Sequence, residues 1–248
     1  MSAELGLHGL VLRRGGVPVL DGVDLTVAPG EVVALVGPSG CGKSTLLDVA
    51  AGLVAPDAGE VRIDGASAPG RLGRLALMPQ GDSLLPWRTL LDNVAVGARL
   101  AGLPDAAARA REAVERYGLA GFEHHYPHAL SGGMRQRAAL ARTVLAARPV
   151  WLLDEPFGAL DALTRAELHA ELADLWERHR PTVLLVTHDP DEAATLGDRI
   201  LVGGPRPMGR LLEVACPGDR PRPAAARVAV REAVMEALRA QHAVGRTA

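Results

Sequence analysis

A glycine-rich segment near the N-terminus combines backbone freedom with a lysine and several hydroxyl groups. It consists of Gly37, Pro38, Ser39, Gly40, Cys41, Gly42, Lys43, Ser44 and Thr45. An apolar run (32–36) precedes it and a helix-like stretch follows, which is the context of a phosphate-binding loop. There, backbone N–H groups hold phosphate oxygens, Lys43 neutralises phosphate charge and the Ser44 hydroxyl ligates Mg²⁺. The segment therefore predicts binding of ATP with Mg²⁺, and Cys41 is interpreted as a small filler of the loop.

Two adjacent carboxylates, Asp154 and Glu155, follow the apolar run 150–153. Parallel sheets hold ligands at the carboxyl ends of their strands, so both side chains are expected to face the phosphates. Asp154 would hold Mg²⁺, and Glu155 would orient and polarise the attacking water. An acidic pair at a strand end is by itself more often a solvated turn, and it is the phosphate-binding loop that favours the catalytic interpretation.

A second anion site is predicted at the Ser131-Gly132-Gly133 turn, which opens the helix-like stretch 138–147. A helix N-terminus with accessible backbone N–H groups attracts anions. Ser131 could be an ordinary helix cap, but capping does not explain the two glycines. One phosphate chain needs only one such loop, and the phosphate-binding loop already supplies it. The residues alone therefore do not identify the anion that this second site would bind.

Short apolar runs alternate with longer helix-like stretches along the chain. The predicted buried strands are 32–36, 74–78, 150–153, 183–186 and 199–202. This alternation predicts an α/β fold. An apolar stripe predicts a helix at 164–179, and the Ala-rich run 106–117 predicts a helix capped by Asp105. The segment 82–128 has little strand signal and is interpreted as a helical insertion.

The composition limits the classes of protein. The 248 residues are 48% hydrophobic and carry a formal net charge of −2, with basic residues spread along the chain. This predicts a globular protein and argues against nucleic acid as a partner. Cys41 and Cys216 are expected to be free thiols. No apolar run approaches the roughly 18 residues of a membrane span, and no secretory signal is recognised, so a membrane link would come through another subunit.

Five segments follow one another in an order that resembles the nucleotide-binding subunits of ABC transporters. They are the phosphate-binding loop, Leu130-Ser131-Gly132-Gly133-Met134-Arg135-Gln136-Arg137, Asp154-Glu155, Gly158-Ala159-Leu160-Asp161 and Thr187-His188-Asp189. The resemblance covers residues 5–212. It implies an α/β P-loop NTPase core with a mostly parallel sheet, an antiparallel β subdomain and a helical subdomain at about 82–147. The ABC ATPase domain would span 1–215, followed by a C-terminal extension (216–248) with helical spacing at 224–241.

The resemblance also implies roles for single residues. The family forms head-to-tail homodimers in which each ATP lies between one subunit's phosphate-binding loop and the other's Ser-Gly-Gly turn. By this similarity Ser131 and Gly133 contact the γ-phosphate across the interface, and Asp161 links the two sites. His188 stabilises the γ-phosphate together with Glu155. Without the ordered set of motifs, Asp161 would be interpreted as a loop residue and His188 as structural.

Gln80 is similar to the glutamine that senses Mg²⁺ in this family and couples hydrolysis to the membrane partner. The apolar segment 83–87 that follows could be a docking patch or a local core, and the residues leave these alternatives open. The family commonly stacks an aromatic side chain on adenine, and the corresponding residue here is Arg14. Stacking of its guanidinium on the base is a hypothesis; a solvated arginine is the alternative.

Four segments resemble the subunits of importers for nitrate, sulfonate and taurine. They are Leu84-Leu85-Pro86-Trp87, Tyr126-Pro127-His128, Phe157-Gly158-Ala159-Leu160-Asp161-Ala162-Leu163-Thr164-Arg165 and Gly204-Pro205-Arg206-Pro207. Relatives that import thiamine or pyrimidine precursors share much of this pattern. The resemblance implies integral membrane permease subunits as partners, a peripheral position on the cytoplasmic face of the membrane, and indirect work with a periplasmic or lipid-anchored solute-binding protein. The alternative is a soluble ABC ATPase that is not coupled to transport.

Overall fold

The structure, a computed structural model, describes residues 2–67, 73–158, 160–218, 220 and 222–244. The strands are β1 (Leu5–Arg14), β2 (Val17–Val27), β3 (Val32–Val36), β4 (Ala58–Ile63), β5 (Ala66–Ser67), β6 (Leu75–Met78), β7 (Val150–Asp154), β8 (Thr182–Thr187), β9 (Arg199–Val202) and β10 (Leu212–Val214). The helices are α1 (Lys43–Ala51), α2 (Leu90–Leu100), α3 (Ala106–Arg116), α4 (Gly132–Leu145), α5 (Ala162–His179), α6 (Pro190–Leu196) and α7 (Ala224–Val244).

The larger sheet has six strands in the order β10-β9-β3-β8-β7-β6. All neighbours in it are parallel except β10, which runs antiparallel to β9. β3, β7 and β8 are buried along their whole length, as strands covered on both faces should be. The five apolar runs predicted as strands are the five parallel strands. Pairing of Val36 with Thr187 and of Asp154 with Val186 brings three strand ends to one edge.

The smaller sheet has four antiparallel strands in the order β2-β1-β4-β5. Its buried side chains, such as Leu5, Leu7 and Val61, share one core with α1 and with one face of the larger sheet. Bulges interrupt the pairing of β1 with β2 between Leu7 and Val11. The expected α/β core, with a mostly parallel sheet and an antiparallel β part, is therefore confirmed.

Helices α2, α3 and α4 lie between β6 and β7 in the chain and pack against one another. A Cβ added to Gly97 would lie 2.0 Å from the carbonyl oxygen of Arg142, so glycine permits α2 and α4 to touch. The predicted cap of α3 is wrong. Asp105 has a left-handed backbone (φ 53°) and its side chain makes no capping hydrogen bond, whereas a capping side chain requires an extended backbone.

The C-terminal helix α7 covers one face of the larger sheet beside α6. Val230 and Val234 are fully buried there, and Leu238 packs against the same cluster, so the predicted apolar stripe faces the core. The helix continues to Val244, three residues beyond the predicted stretch. Within the ranges described above, no helix has both the length and the apolar character that a membrane span needs.

Candidate active site at the carboxyl edge of the parallel sheet

The phosphate-binding loop joins the end of β3 to the start of α1. Gly42 precedes the helix with φ 116° and no side-chain cap, so the first N–H groups of α1 have no capping side chain. A Cβ at Gly42 would lie 3.1 Å from the Val19 carbonyl oxygen, and only glycine fits without strain. The ammonium of Lys43 donates to the carbonyl oxygens of Gly37 (2.7 Å) and Pro38 (3.0 Å). The loop therefore holds a buried positive charge at a helix N-terminus.

A cavity of about 300 Å³ opens beside this loop. It is lined by Arg14, Val19, Ser39, Gly40, Gly42, Lys43, Ser44, Thr45, Gln80, Glu155 and Arg206. Cys41 lies underneath, buried and free, and burial raises the pKa of its thiol. A protonated, inaccessible thiol fits the interpretation of Cys41 as a filler.

Asp154 ends β7 with its side chain 5% exposed. Burial raises the pKa of this carboxyl, and a hydrogen bond with the Ser44 hydroxyl acts in the opposite direction. Among the described residues, Asp154 Oδ1 has no hydrogen-bond partner although it is buried. An unpartnered carboxylate oxygen beside a hydroxyl is what a Mg²⁺ ion on the phosphates would need from the protein.

Glu155 is the centre of a hydrogen-bond network at the same edge. Its Oε1 lies 3.2 Å from Nδ1 of His188, and its Oε2 accepts a hydrogen bond from Gln80 (3.3 Å). The backbone is fixed as well, because Glu155 N–H donates to Val186 (2.8 Å) and its carbonyl accepts from the Gln136 amide (2.7 Å). Three other segments of the chain, around Gln80, Gln136 and Val186 to His188, thus determine where Glu155 lies.

The backbone of Glu155 adopts a left-handed conformation, with φ 47°. Such a conformation is uncommon for a residue with a side chain and costs of order 1 kcal/mol. Strain of this kind persists where the surrounding contacts over-determine it, and it is concentrated at functional sites. Glu155, the residue with this strained backbone, is also the member of the Asp154-Glu155 pair that is predicted to be the catalytic base.

Not all of the predicted site residues converge. Ser131 caps α4 by accepting from Met134 N–H (3.2 Å), and Asp161 caps α5 by accepting from Thr164 N–H (3.0 Å). Neither these residues nor Gly133 line the cavity at the phosphate-binding loop. Their neighbour Gly132 lines an adjoining cavity of about 330 Å³ together with Gln80, Gln136, Glu155 and His188. One chain therefore brings together the loop, Gln80, Asp154, Glu155 and His188, and leaves the Ser-Gly-Gly turn beside them.

Sequence reasoning assigned no role to two residues of this region. Gln136 is buried and donates to the carbonyl of Glu155, and Arg206 lines the cavity from the loop after β9. Both contacts join residues that are far apart in the sequence, so no local sequence pattern predicts them. The sequence carries one signal for them, because each lies in a segment that resembles the family.

Arg14 lines the cavity, and its side chain forms an ion pair with Asp48 (3.3 Å). Half of the Arg14 side chain is exposed. This geometry is compatible with a guanidinium held near the base, and stacking on adenine stays a prediction.

A phosphate-binding loop at the head of a helix, facing a buried aspartate and a fixed glutamate at the end of another strand of the same parallel sheet, defines a P-loop ATPase. The ABC transporter family model matches residues 20–158. The aliphatic sulfonates import ATP-binding protein SsuB 2 of Streptomyces avermitilis is 47% identical over 217 residues, which cover 88% of this chain and 82% of that protein. The taurine import ATP-binding protein TauB of Yersinia pestis is 42% identical over 211 residues, covering 84% and 82%.

Among solved structures, this chain is similar to the dimeric post-hydrolysis state of the ATP-binding cassette MJ0796 bound to ADP and Pi. The TM-score is 0.78 at 30% identity, over 87% of this chain and all of that one. The chain belongs to the ABC transporter family, and its fold is that of an ATP-binding cassette ATPase.

Proposed function

We propose that this chain binds and hydrolyses ATP to power an ABC importer. The observation that carries the proposal is the convergence of Gln80 and His188 on the carboxylate of Glu155, at the sheet edge that also holds the phosphate-binding loop. The family, and the relatives named for sulfonate and taurine import, support the coupling to transport.

Hydrolysis requires a base that is fixed relative to the γ-phosphate. The Gln80 amide and the His188 ring each hold one oxygen of the Glu155 carboxylate, so this group is oriented before ATP is present. Glu155 would orient the attacking water and accept its proton, and His188 would stabilise charge on the γ-phosphate. Lys43 and the N–H groups of α1 would hold the β- and γ-phosphates.

Mg²⁺ would be held by Asp154 and the Ser44 hydroxyl, with Gln80 close to the same phosphates. When bound, it supplies charge neutralisation on the phosphate oxygens. No group of three or more His, Cys, Asp or Glu side chains able to hold a metal occurs in the part of the chain that the structure describes. This fits a Mg²⁺ ion that takes one or two ligands from the protein and the others from phosphate and water.

A head-to-tail homodimer would complete the site. Ser131 and Gly133 lie outside the cavity at the phosphate-binding loop, so a second copy is needed for them to reach the γ-phosphate of an ATP bound there. Asp161, exposed at the start of α5, would link the two sites. The dimeric cassette structure to which this chain is similar supports such an assembly.

The permease would dock on a turn that presents one exposed aromatic side chain. Within segment 83–87, Leu84 is 7% exposed and joins the core, whereas Trp87 is 71% exposed. The buried amide of Asn93 fixes the turn, because it bonds both backbone groups of Leu85 and the carbonyls of Arg88 and Thr89. An exposed tryptophan on a rigid turn is typical of an interface anchor.

This turn is connected to the hydrolytic site. Arg135 of α4 bonds the carboxylate of Asp82 (2.7 Å), and Arg142 bonds the carbonyls of Asp82 and Ser83. Gln80, which holds Glu155, lies two residues before Asp82 in the same segment. A change at the γ-phosphate would thus move α4 and the docking turn together.

We infer a sulfonate, taurine or related small solute as the cargo, with nitrate as a further candidate. The chain would act at the cytoplasmic face of the membrane, bound to integral permease subunits. A periplasmic or lipid-anchored solute-binding protein would deliver the cargo to the permease without contacting this chain.

Deletion of the gene in the source organism tests the proposal, with uptake of labelled taurine and labelled pentanesulfonate as the measurement. Uptake of one of them should fall in the deletion strain and return with the unmodified chain, but not with Lys43→Ala. Unchanged uptake of both would refute a sulfonate or taurine as the cargo. For the soluble alternative, sedimentation with ribosomes at high salt, in place of membranes, would be the decisive result.

A further inference from the structure

Residues 203–210 (the 203–210 loop), in the connection between β9 and β10, lie directly against the phosphate-binding loop. Gly203 N–H donates to the carbonyl of Val36 (2.8 Å), the last residue of β3. A Cβ added to Gly37 would lie 3.1 Å from the Gly203 carbonyl oxygen. The two loops are therefore in backbone contact, and a shift of one is transmitted to the other.

The far end of the 203–210 loop is attached to the smaller sheet. Met208 N–H donates to the carbonyl of Val19 (2.9 Å), and Asp21 N–H donates to the carbonyl of Met208 (2.9 Å). The Met208 side chain is fully buried in the core that the two sheets share. The loop is thus fixed at both ends, and only its middle is exposed.

Arg206 lies in this exposed middle and lines the nucleotide cavity together with Arg14 and Val19. Its Nε donates to the carbonyl of Pro18 (3.1 Å), which orients the guanidinium. Among the described residues, its two Nη groups have no hydrogen-bond partner, whereas the guanidinium of Arg14 is paired with Asp48. Arg206 therefore offers oriented donors to the cavity from the side of the smaller sheet, whereas Glu155 lines the cavity from the edge of the larger sheet.

The C-terminal helix holds both ends of the same loop through one side chain. Gln241 of α7 donates to the carbonyls of Val202 and Arg210, each at 3.2 Å. Gly204 lies so close that an added Cβ would be 2.7 Å from Gln241 Oε1. The burial of Val230 and Val234 fixes α7 on the sheet. A residue of the C-terminal extension thus spans the base of the loop that carries Arg206.

We propose that Arg206 binds the ribose–base half of the nucleotide, and that Gln241 is a positioning residue that holds Arg206 there. The inference rests on the proposed function. Lys43, Ser44 and Glu155 would hold the phosphates from the larger sheet, so donors that enter from the smaller sheet are left for the half that ATP and ADP share. The extension would thereby contribute to nucleotide affinity without touching the nucleotide.

The experiment compares dissociation constants for ATP, ADP and inorganic tripolyphosphate by calorimetry on the full chain. Arg206→Ala should raise the dissociation constants for ATP and ADP by the same factor, about tenfold for one charge-assisted hydrogen bond. The dissociation constant for tripolyphosphate should stay unchanged. Gln241→Ala should weaken ATP by about threefold in the unmodified chain and have no effect in Arg206→Ala, because it acts only through that residue. Glu236→Gln, an exposed change on the same helix, is the control and should match the unmodified chain.

Equal weakening of ATP and tripolyphosphate would overturn the proposal, since Arg206 would then act on the phosphates through its charge. If the effects of Arg206→Ala and Gln241→Ala on the free energy of ATP binding were fully additive, Gln241 would not act through Arg206, and its positioning role would be overturned. Unchanged ATP binding in Arg206→Ala, with a normal rate of hydrolysis in the unmodified chain, would overturn this inference and leave the proposed function intact. Failure of the unmodified chain to bind ATP would instead refute the proposed function.

Discussion

Glu155 Oε1 lies 3.2 Å from Nδ1 of His188, although the two residues follow different strands. The contact exists because β7 and β8 are parallel neighbours whose registers end together, with Asp154 opposite Val186. Each residue directly follows its strand, so the sheet itself determines their distance. A histidine and a carboxylate fixed in this way can share the charge that develops during phosphoryl transfer.

The first prediction concerns the base. Glu155→Gln keeps the shape of the side chain but cannot accept a proton, so phosphate release should fall by at least ~100-fold. ATP binding should be retained, and gel filtration with ATP should give a dimer that does not dissociate. Glu167→Gln, an exposed change on α5, is the matched control. A rate within about twofold of the unmodified chain would rule out Glu155 as the base.

The second prediction concerns Mg²⁺. Asp154→Asn replaces the charged, unpartnered oxygen with a neutral amide, so the Mg²⁺ concentration for half-maximal ATP hydrolysis should rise by about tenfold or more. A titration of Mg²⁺ at constant ATP measures this. Asp105→Asn, at an exposed side chain without a capping bond, should have no effect. An unchanged titration midpoint for Asp154→Asn would mean that the ion is held elsewhere.

The third prediction is a pH dependence of stability from Glu192. Burial is the main cause that raises the pKa of this carboxyl to about 7, and the nearby charge of Asp189 acts in the same direction. A hydrogen bond from Thr187 and the charges of Arg165 and His188 lower the pKa and oppose this shift. Between pH 4.5 and 7 the folded state keeps a proton that the unfolded state releases, so this group lowers the free energy of unfolding as pH rises.

Glu192→Gln stays neutral and can still accept from Thr187. Its stability should equal that of the unmodified chain near pH 5 and exceed it at pH 8, by at most ~3 kcal/mol. Urea unfolding at several pH values measures the difference. Glu232→Gln on α7 is the control. Curves for Glu192→Gln and the unmodified chain that stay parallel from pH 5 to 8 would contradict the raised pKa.

The fourth prediction separates the rigidity of the docking turn from its contact surface. Asn93→Ala leaves buried backbone groups of the turn without partners and should lower the free energy of unfolding by ~2–3 kcal/mol. Arg99→Ala, which removes a surface ion pair of the same helix, should cost less than ~1 kcal/mol. Chemical denaturation measures both. Equal losses would show that the Asn93 amide does not hold the turn.

The fifth prediction concerns the exposed tryptophan. Trp87→Ala removes little buried surface, so the free energy of unfolding should change by less than ~0.5 kcal/mol. Solute uptake and co-purification with the permease should nevertheless fall by about tenfold or more, as expected for an interface anchor. Leu53→Ala, at a side chain 65% exposed in the turn after α1, is the control. Normal uptake by Trp87→Ala would place the permease elsewhere.

Much of the fold could be predicted from the sequence because the parallel strands are buried on both faces. Such strands are continuous apolar runs in the sequence. The run 32–36, for example, has the same bounds as β3. The phosphate-binding loop and the Asp154-Glu155 pair were recognisable because they occupy fixed positions relative to these strands. The smaller sheet was expected only from the family resemblance, because its strands alternate between buried and exposed residues and contain bulges.

What could not be predicted depends on contacts between distant segments. Nothing near Leu84 and Trp87 indicates that the first is buried and the second exposed, because Asn93 on the following helix determines the turn. Arg206 reaches the cavity only because its loop pairs with β2, far earlier in the chain. Asp105 looked like a helix cap, but its backbone conformation is one that a cap residue does not adopt.

The nucleotide cavity has walls from both sheets, with Arg14 and Val19 on the smaller sheet and the phosphate-binding loop on the larger one. A bound nucleotide would therefore add contacts between two parts of the fold that already share an apolar core. A ligand at 100 times its dissociation constant adds ~2.7 kcal/mol to the free energy of unfolding. Nucleotide occupancy would accordingly lengthen the lifetime of this chain against cellular proteases, whether or not a single phosphate is released.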